Sequence, residues 1–154
     1  MAKGILKTGK VVVVLNGRYA GRKALVLKTY ESGNGARRFS HCIIAGLARY
    51  PRKTTKGMSR KKVEKKVKMK PFVRHVNMNH VFPTRYQVDF TSKLKELDLS
   101  EMDDSDKKVE ARQTVRKSVK KIFEDRYKEG IPKDAKKSSS KVDSSRFFFQ
   151  KLRF

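Results

Sequence analysis

A short loop sets the first chemical question. Gly17 and Gly21 enclose Arg18-Tyr19-Ala20, and Arg22-Lys23 follow directly. Guanidinium and ammonium groups on a glycine-bearing loop offer positive charge and hydrogen-bond donors to phosphate oxygens. A nucleotide-binding P-loop needs four residues between its glycines and then Gly-Lys-Ser/Thr at the start of a helix. Here three residues separate the glycines, and Arg22-Lys23-Ala24 leads into an apolar run instead. The chemistry on offer is phosphate binding without a nucleotide cradle.

Other reactive side chains are few. His41, His75 and His80 are the only histidines and stand in no spaced Cys/His set of the kind zinc requires. His41 and Cys42 are neighbours, and on a strand neighbours point to opposite faces, which argues against a nucleophile–base pair. The first 88 residues hold only Glu31 and Glu64 as acids, so no acid–base couple is evident there. The reading is a binding protein, not an enzyme, with no cofactor, no metal and no small-molecule substrate. Cys42 is the sole cysteine, so no intramolecular disulfide can form and a reducing compartment fits.

Charge names the class of partner. The chain has 154 residues, with 40 Lys and Arg against 15 acids, a formal net charge of +25. A compact protein repels itself at such a charge, so a polyanion is expected to bind it. Residues 1–88 carry 22 of the bases and two acids, whereas 89–154 carry 18 and 13. The basic footprint therefore belongs mainly to the first part of the chain. No apolar run approaches the length of a membrane span and no signal peptide is evident, so a soluble intracellular protein is expected.

The elements that position these charges follow from hydrophobic pattern. Val11 to Leu15 and Ala24 to Thr29 are short, β-branched runs bounded by Gly and Asn, and they predict buried strands flanking the basic loop. Val12, Val14, Leu25 and Leu27 are the expected core. A third strand is predicted over residues 37–45, opening on Arg37 and Arg38, with Phe39 and Ile43 on one face and Cys42 and Ile44 on the other. Pro71 to Val76 and Thr84 to Phe90 predict two more, the last carrying Arg85 on its polar side. Between them, residues 77–83 read as a polar turn with an apolar plug. Five short strands suit a small SH3-like barrel, whose closure removes exposed edges.

Between strands, Arg49-Tyr50-Pro51-Arg52-Lys53 places a proline and an aromatic ring among cations. The segment from Lys53 to Lys70 is overwhelmingly positive, through Arg60-Lys61-Lys62 and Lys65-Lys66, with too few apolar residues to anchor a helix strongly. It reads as an extended phosphate-binding arm and also as a nuclear-import signal. Residues 96–106 hold six acids and no base, and lack the glycine and final glutamate of an EF-hand loop. That stretch reads as a solvated linker. Lys107 to Glu129 predicts the best helix, its stripe formed by Val115, Val119, Ile122, Phe123 and Tyr127, with Gly130 and Pro132 as stop signals. Lys133 to Ser145 reads as a second linker. The closing Arg146-Phe147-Phe148-Phe149-Gln150-Lys151-Leu152-Arg153-Phe154 is too apolar to stay in water, so it is expected to dock on the chain itself or on a neighbour.

The strand–loop–strand unit resembles a KOW motif, with its pivotal glycine at Gly21. Five separated blocks extend the likeness: Gly17 to Ala24, Arg49 to Lys53, Asn79 to Asp89, Phe123 to Tyr127, and Phe148 to Phe154. Together they resemble a eukaryotic family of large-subunit ribosomal proteins, number twenty-seven in the eukaryotic series. The resemblance implies a mainly β fold, an SH3-like KOW barrel over 1–90 followed by a helical, partly extended C-terminal part over 91–154. It implies a structural constituent of the large subunit that binds and stabilises folded ribosomal RNA beside neighbouring ribosomal proteins. The implied place is the cytosolic ribosome, with nucleolar passage during assembly. A KOW-type transcription or RNA-processing factor is the alternative, and a basic protein on acidic membranes fits less well for want of an amphipathic anchor. The residues expected on RNA are Arg18, Arg22, Lys23, Arg37, Arg38, Arg49, Arg52, Lys53, Arg60, Lys61, Lys62, Lys65, Lys66 and Arg85.

Overall fold

The computed structural model describes residues 4–88, 91–102, 108–129 and 139–152. Five strands, β1 (Lys10–Val14), β2 (Lys23–Tyr30), β3 (His41–Arg49), β4 (Lys70–Asn77) and β5 (Val81–Gln87), form one antiparallel sheet in the order β4-β3-β2-β1-β5. The first two strands lie where the apolar runs predict them. Val12, Val14, Leu25 and Leu27 are all buried. Gly17 and Gly21 both adopt positive φ, at 82° and 72°. The Gly21 N–H then reaches the Val14 carbonyl at 2.7 Å, closing the basic loop.

The later strands shift against expectation. β3 begins at His41 rather than Arg37, which leaves Arg37, Arg38 and an exposed Phe39 in the preceding loop. A bridge between Asn34 and Arg37, with the Asn34 side chain accepting from the Arg37 N–H, holds those residues in a turn of their own. β5 begins at Val81, three residues early, because a 3-10 turn over Met78–His80 completes the reversal in fewer residues than the polar segment suggested. Pro83 is tolerated inside β5 because this strand is an edge. Phe90, placed in that strand by the sequence reading, lies outside the described residues.

The sheet is coiled but not closed by hydrogen bonds, since β4 and β5 remain its two edges. Phe72 of β4 and Val81 of β5 nevertheless meet in one inner cluster with Val12, Val14, Ala24, Val26, Cys42 and Ile44. Register shifts in the β1–β5 and β2–β3 pairings supply the local bends that such curling needs. Tyr19, from the basic loop, stacks on Phe72 with centroids 3.9 Å apart and rings within 3° of parallel.

The opposite face is equally apolar and is covered by helices. Val11, Leu25, Leu27, Ile43, Ala45, Leu47 and Val73 meet Ala111, Val115, Val119 and Phe123 of α3 (Lys108–Glu129) and Phe148 and Phe149 of α4 (Ser139–Phe149). The expected stripe of α3 is the face that packs. Its predicted stop signals, Gly130 and Pro132, lie outside the described residues.

Three segments depart from their readings. The basic segment holds a helix, α1 (Arg60–Val67), in place of an extended arm. Val67 and, just beyond it, Met69 are buried, and the Met69 N–H donates to Glu124 Oε1 of α3 at 3.2 Å, so two apolar residues and one bond suffice to seat it. Leu94 of α2 (Thr91–Lys95), Leu99 and Met102 are buried in the helix-covered core, so the start of the acidic stretch is anchored even though Glu96 and Asp98 are exposed. The Lys/Ser linker gives way at Ser139 to α4, because the phenylalanines that follow reward a helical presentation. The C-terminal aromatics dock on their own chain, while Arg153 and Phe154 lie outside the described residues.

Gly46, in the middle of β3, shows how tightly the inner cluster is packed. A Cβ there would meet the Phe72 ring and stand 2.7 Å from the Lys23 carbonyl oxygen. Gly46→Ala is expected to destabilise the fold by about 1–3 kcal/mol through overpacking, read as a lower urea midpoint with an unchanged m-value.

Candidate nucleic-acid interface

The glycine-bearing loop divides its three cations among different jobs. Arg18 is exposed and shares a shallow cavity of about 190 Å³ with Tyr19, Arg74 and His75. Arg22 is half-buried, its guanidinium 5.8 Å from the centre of the Tyr50 ring. Lys23 is only 2% exposed, although the sequence reading set it on RNA.

The Lys23 side chain is a structural tie. Its Nζ donates to the carbonyls of Phe147 and Gln150, the latter at 2.7 Å, and lies 3.7 Å from the centre of the Phe147 ring. Carbonyls at a helix C-terminus lack intrahelical partners, and a cation there completes them. Phe147 in turn stacks on Tyr86 of β5 at 4.2 Å. The Lys23 N–H donates to the Tyr50 hydroxyl at 2.9 Å. Residue 23 thus fastens the start of β2 to both the 49–53 segment and α4. Removal from water brings its ammonium down to about 8. Burial likewise holds the Tyr50 phenol above its usual range, opposed by the Lys23 N–H and by Arg22.

Around this tie the exposed cations gather. Arg49, Arg52 and Lys53 are exposed, as are Arg60, Lys61, Lys62 and Lys65 on α1. The Arg52 N–H donates to the Lys66 carbonyl at 3.0 Å, and the half-buried Lys66 returns a long contact from Nζ to the Lys53 carbonyl at 3.5 Å. These two contacts hold α1 beside the 49–53 segment, so seven exposed cations from two stretches form one basic patch. Arg85 is exposed on β5, with its guanidinium 5.0 Å from the Tyr86 ring and donating to the Tyr86 hydroxyl at 3.0 Å. It lies on the edge strand, beside the Tyr86 ring on which Phe147 stacks.

Arg37 and Arg38 belong to a different place. Arg38 is exposed, whereas Arg37 is half-buried and lines a cavity of about 430 Å³ with His41, His75 and His80. Arg112 of α3 and Arg74 of β4, which the sequence reading passed over, belong to the same neighbourhood. Burial holds the Arg112 guanidinium below its ordinary range, and the charges of Arg74 and then Arg37 push it further down. Arg74 was within reach of the sequence, as an outward position on an alternating strand. Arg112 was not, because only the tertiary fold brings the second turn of α3 to β4.

His41 and Cys42 are both buried in β3. The His41 Nδ1 lies 2.9 Å from the Phe39 carbonyl, and its ring is stacked on Tyr30. Burial pushes the Cys42 thiol up to about 11, so it remains protonated and unreactive at neutral pH. No group of three or more metal-ligating residues occurs among the described residues. No described helix is long and apolar enough to cross a membrane.

A pH test isolates Lys23. An unfolded lysine keeps its proton up to about 10.5, whereas the folded one releases it near 8. Between those values the unfolded chain binds more protons, so stability from this group rises with pH, and it is constant below about 8. Comparing wild type with Lys23→Gln by denaturant unfolding, the difference should move toward wild type by about 1–2 kcal/mol between pH 7.5 and 9.5. It should stay flat from pH 6 to 7.5.

Sequence comparison places these features in company. The family model described as the Ribosomal L27e protein family matches residues 11–154. The large ribosomal subunit protein eL27 of Tetrahymena thermophila is 44% identical over 156 residues, spanning the whole of both chains. Its counterpart from Caenorhabditis elegans is 43% identical over 150 residues, covering 97% of this chain and 98% of that one. The Candida albicans protein of the same name is 40% identical over 154 residues, again end to end.

Proposed function

The chain belongs to the ribosomal L27e protein family, and on that premise we propose that it is a structural constituent of the large ribosomal subunit that binds and stabilises folded ribosomal RNA. The observation that carries this is the full-length likeness to large-subunit proteins at 40–44% identity. The charge of +25 and the patch formed by α1 with Arg49, Arg52 and Lys53 support it physically. Nothing favours the transcription-factor alternative. The role is non-enzymatic.

Lys and Arg at such a surface neutralise backbone phosphates and release counterions, which provides affinity without a base code. Arg18, Arg22, Arg49, Arg52, Lys53, Arg60, Lys61, Lys62 and Lys65 make these contacts, joined by Lys66, Arg38 and Arg85 at the margins. Arg37 contributes from the half-buried cluster with Arg74 and Arg112. Lys23 acts one step back, by fixing the 49–53 segment against the sheet. A helical α1 presents its four exposed cations on a rigid element, which lowers the ordering cost of binding relative to a loose arm. The protein works on the cytosolic ribosome beside neighbouring ribosomal proteins, and reaches it through nucleolar assembly, for which Arg60-Lys61-Lys62 fits an import signal.

The test is binding of the full chain to large-subunit RNA across a salt series. Log affinity should fall with log salt, by about 0.7–0.9 per phosphate contact. The triple variant Arg60→Glu, Lys61→Glu, Lys65→Glu should weaken binding and flatten that slope by about 2–3. An unchanged slope would remove α1 from the interface. Failure of the chain to co-sediment with large subunits in high salt would sink the function.

A further inference from the structure

From this reading of the chain as an RNA binder, we infer that the cavity between α4, the end of α3 and the 49–53 segment receives a single unstacked nucleotide of the RNA. The cavity measures about 890 Å³, within the range of about 300–1,000 Å³ usual for small-ligand sites. Its lining includes Tyr50, Tyr127, Phe147 and Phe149 together with Lys23, Lys53, Arg126, Arg146 and Lys151. Five cations therefore surround an aromatic interior, and there is no acid among the described residues that line it. That combination matches a nucleotide, which is a flat π-face joined to a negative phosphate.

The geometry sorts the walls by role. The Phe147 ring is already occupied, with Tyr86 stacked on it and Lys23 Nζ over it. Phe149 and Tyr127 meet edge to face at 5.4 Å, so they form a fixed corner. Tyr50 is held by its hydroxyl, which accepts from the Lys23 N–H. A base enters against Tyr50 and the Tyr127–Phe149 corner. Lys53, Arg146 and Lys151 are exposed at the rim and meet the flanking phosphates. Arg126 lies deeper and is 3.7 Å from Glu129, so part of its charge is already answered.

The construction of the site is itself informative. Four of the five blocks that carry the family resemblance supply its walls: Lys23 from the first, Tyr50 and Lys53 from the second, Arg126 and Tyr127 from the fourth, and Phe149 and Lys151 from the last. Stretches more than 120 residues apart in sequence converge here. Paired RNA hides its bases, so a cavity of this kind selects a bulge or loop nucleotide over a continuous helix.

The experiment uses the full chain and three RNAs of equal length: a perfect duplex, the duplex with one bulged 2-aminopurine, and the same duplex with an abasic bulge. The aminopurine bulge is expected to bind about tenfold tighter than the perfect duplex, with its emission altered by burial against aromatic rings. Arg146→Glu with Lys151→Glu, both at exposed rim positions outside the α1 patch, should abolish that preference and keep binding to perfect duplex within a few-fold. Equal affinity for all three RNAs overturns the inference and leaves the RNA-binding reading intact. An equal gain from the abasic bulge also overturns it, since the base would then add nothing. Binding to none of the three overturns both. In assembled subunits, a photo-crosslinker at Leu152 should label RNA. Labelling of a neighbouring protein would assign the cavity to that neighbour instead.

Discussion

A sheet with two apolar faces cannot stand in water on either side, and that constraint shapes the whole molecule. β2 makes the point in four residues, with Ala24 and Val26 turned to one cluster and Leu25 and Leu27 to the other. One face solves its exposure by curling until its own edge strands share a core. The other needs a cover, which only α3, α4 and the short segments before them can supply. Among the described residues, the buried apolar side chains of the strands go to these two clusters, and exposed cations stand on the loops, on α1 and on the helix surfaces. Charge placement is thus a consequence of how the sheet is covered.

Covering the sheet has an electrostatic cost concentrated at one side chain. Lys23 lies at the start of β2, a strand that contributes to both clusters, and its ammonium is withdrawn from water. Partial compensation comes from two helix-terminal carbonyls and the face of Phe147. Such an arrangement is more directional than an apolar contact, because donors and acceptors must meet at fixed distances. It fixes where α4 ends relative to β2 and β5, and so where the aromatic cavity opens.

The strands with strong local pattern were legible in the sequence. Val11 to Val14 and Ala24 to Thr29 carry β-branched residues between glycines, and the stripe of α3 repeats at helical spacing, so both survive any tertiary context. The errors fall where a few apolar residues decide the outcome. Val67 and Met69 turn a basic run into a seated helix, and Leu94, Leu99 and Met102 anchor a stretch whose composition speaks of solvent. The basic patch was visible as composition, but Lys23 is indistinguishable from its exposed neighbours until residue 147 is brought to it. Arg112 was hidden for the same reason. Long-range partners leave no local trace.

The docking of α4 also has a consequence in time. Of the described elements it is synthesised last, yet Phe148 is fully buried against Phe123 and Lys23 bonds across more than 120 residues to reach it. The outer face of the sheet must wait, partly bare, until that helix has left the translating ribosome. Contacts of such sequence separation slow folding and leave apolar surface open to aggregation meanwhile. A chain of this charge therefore has a nascent stage in which it is both sticky and strongly cationic.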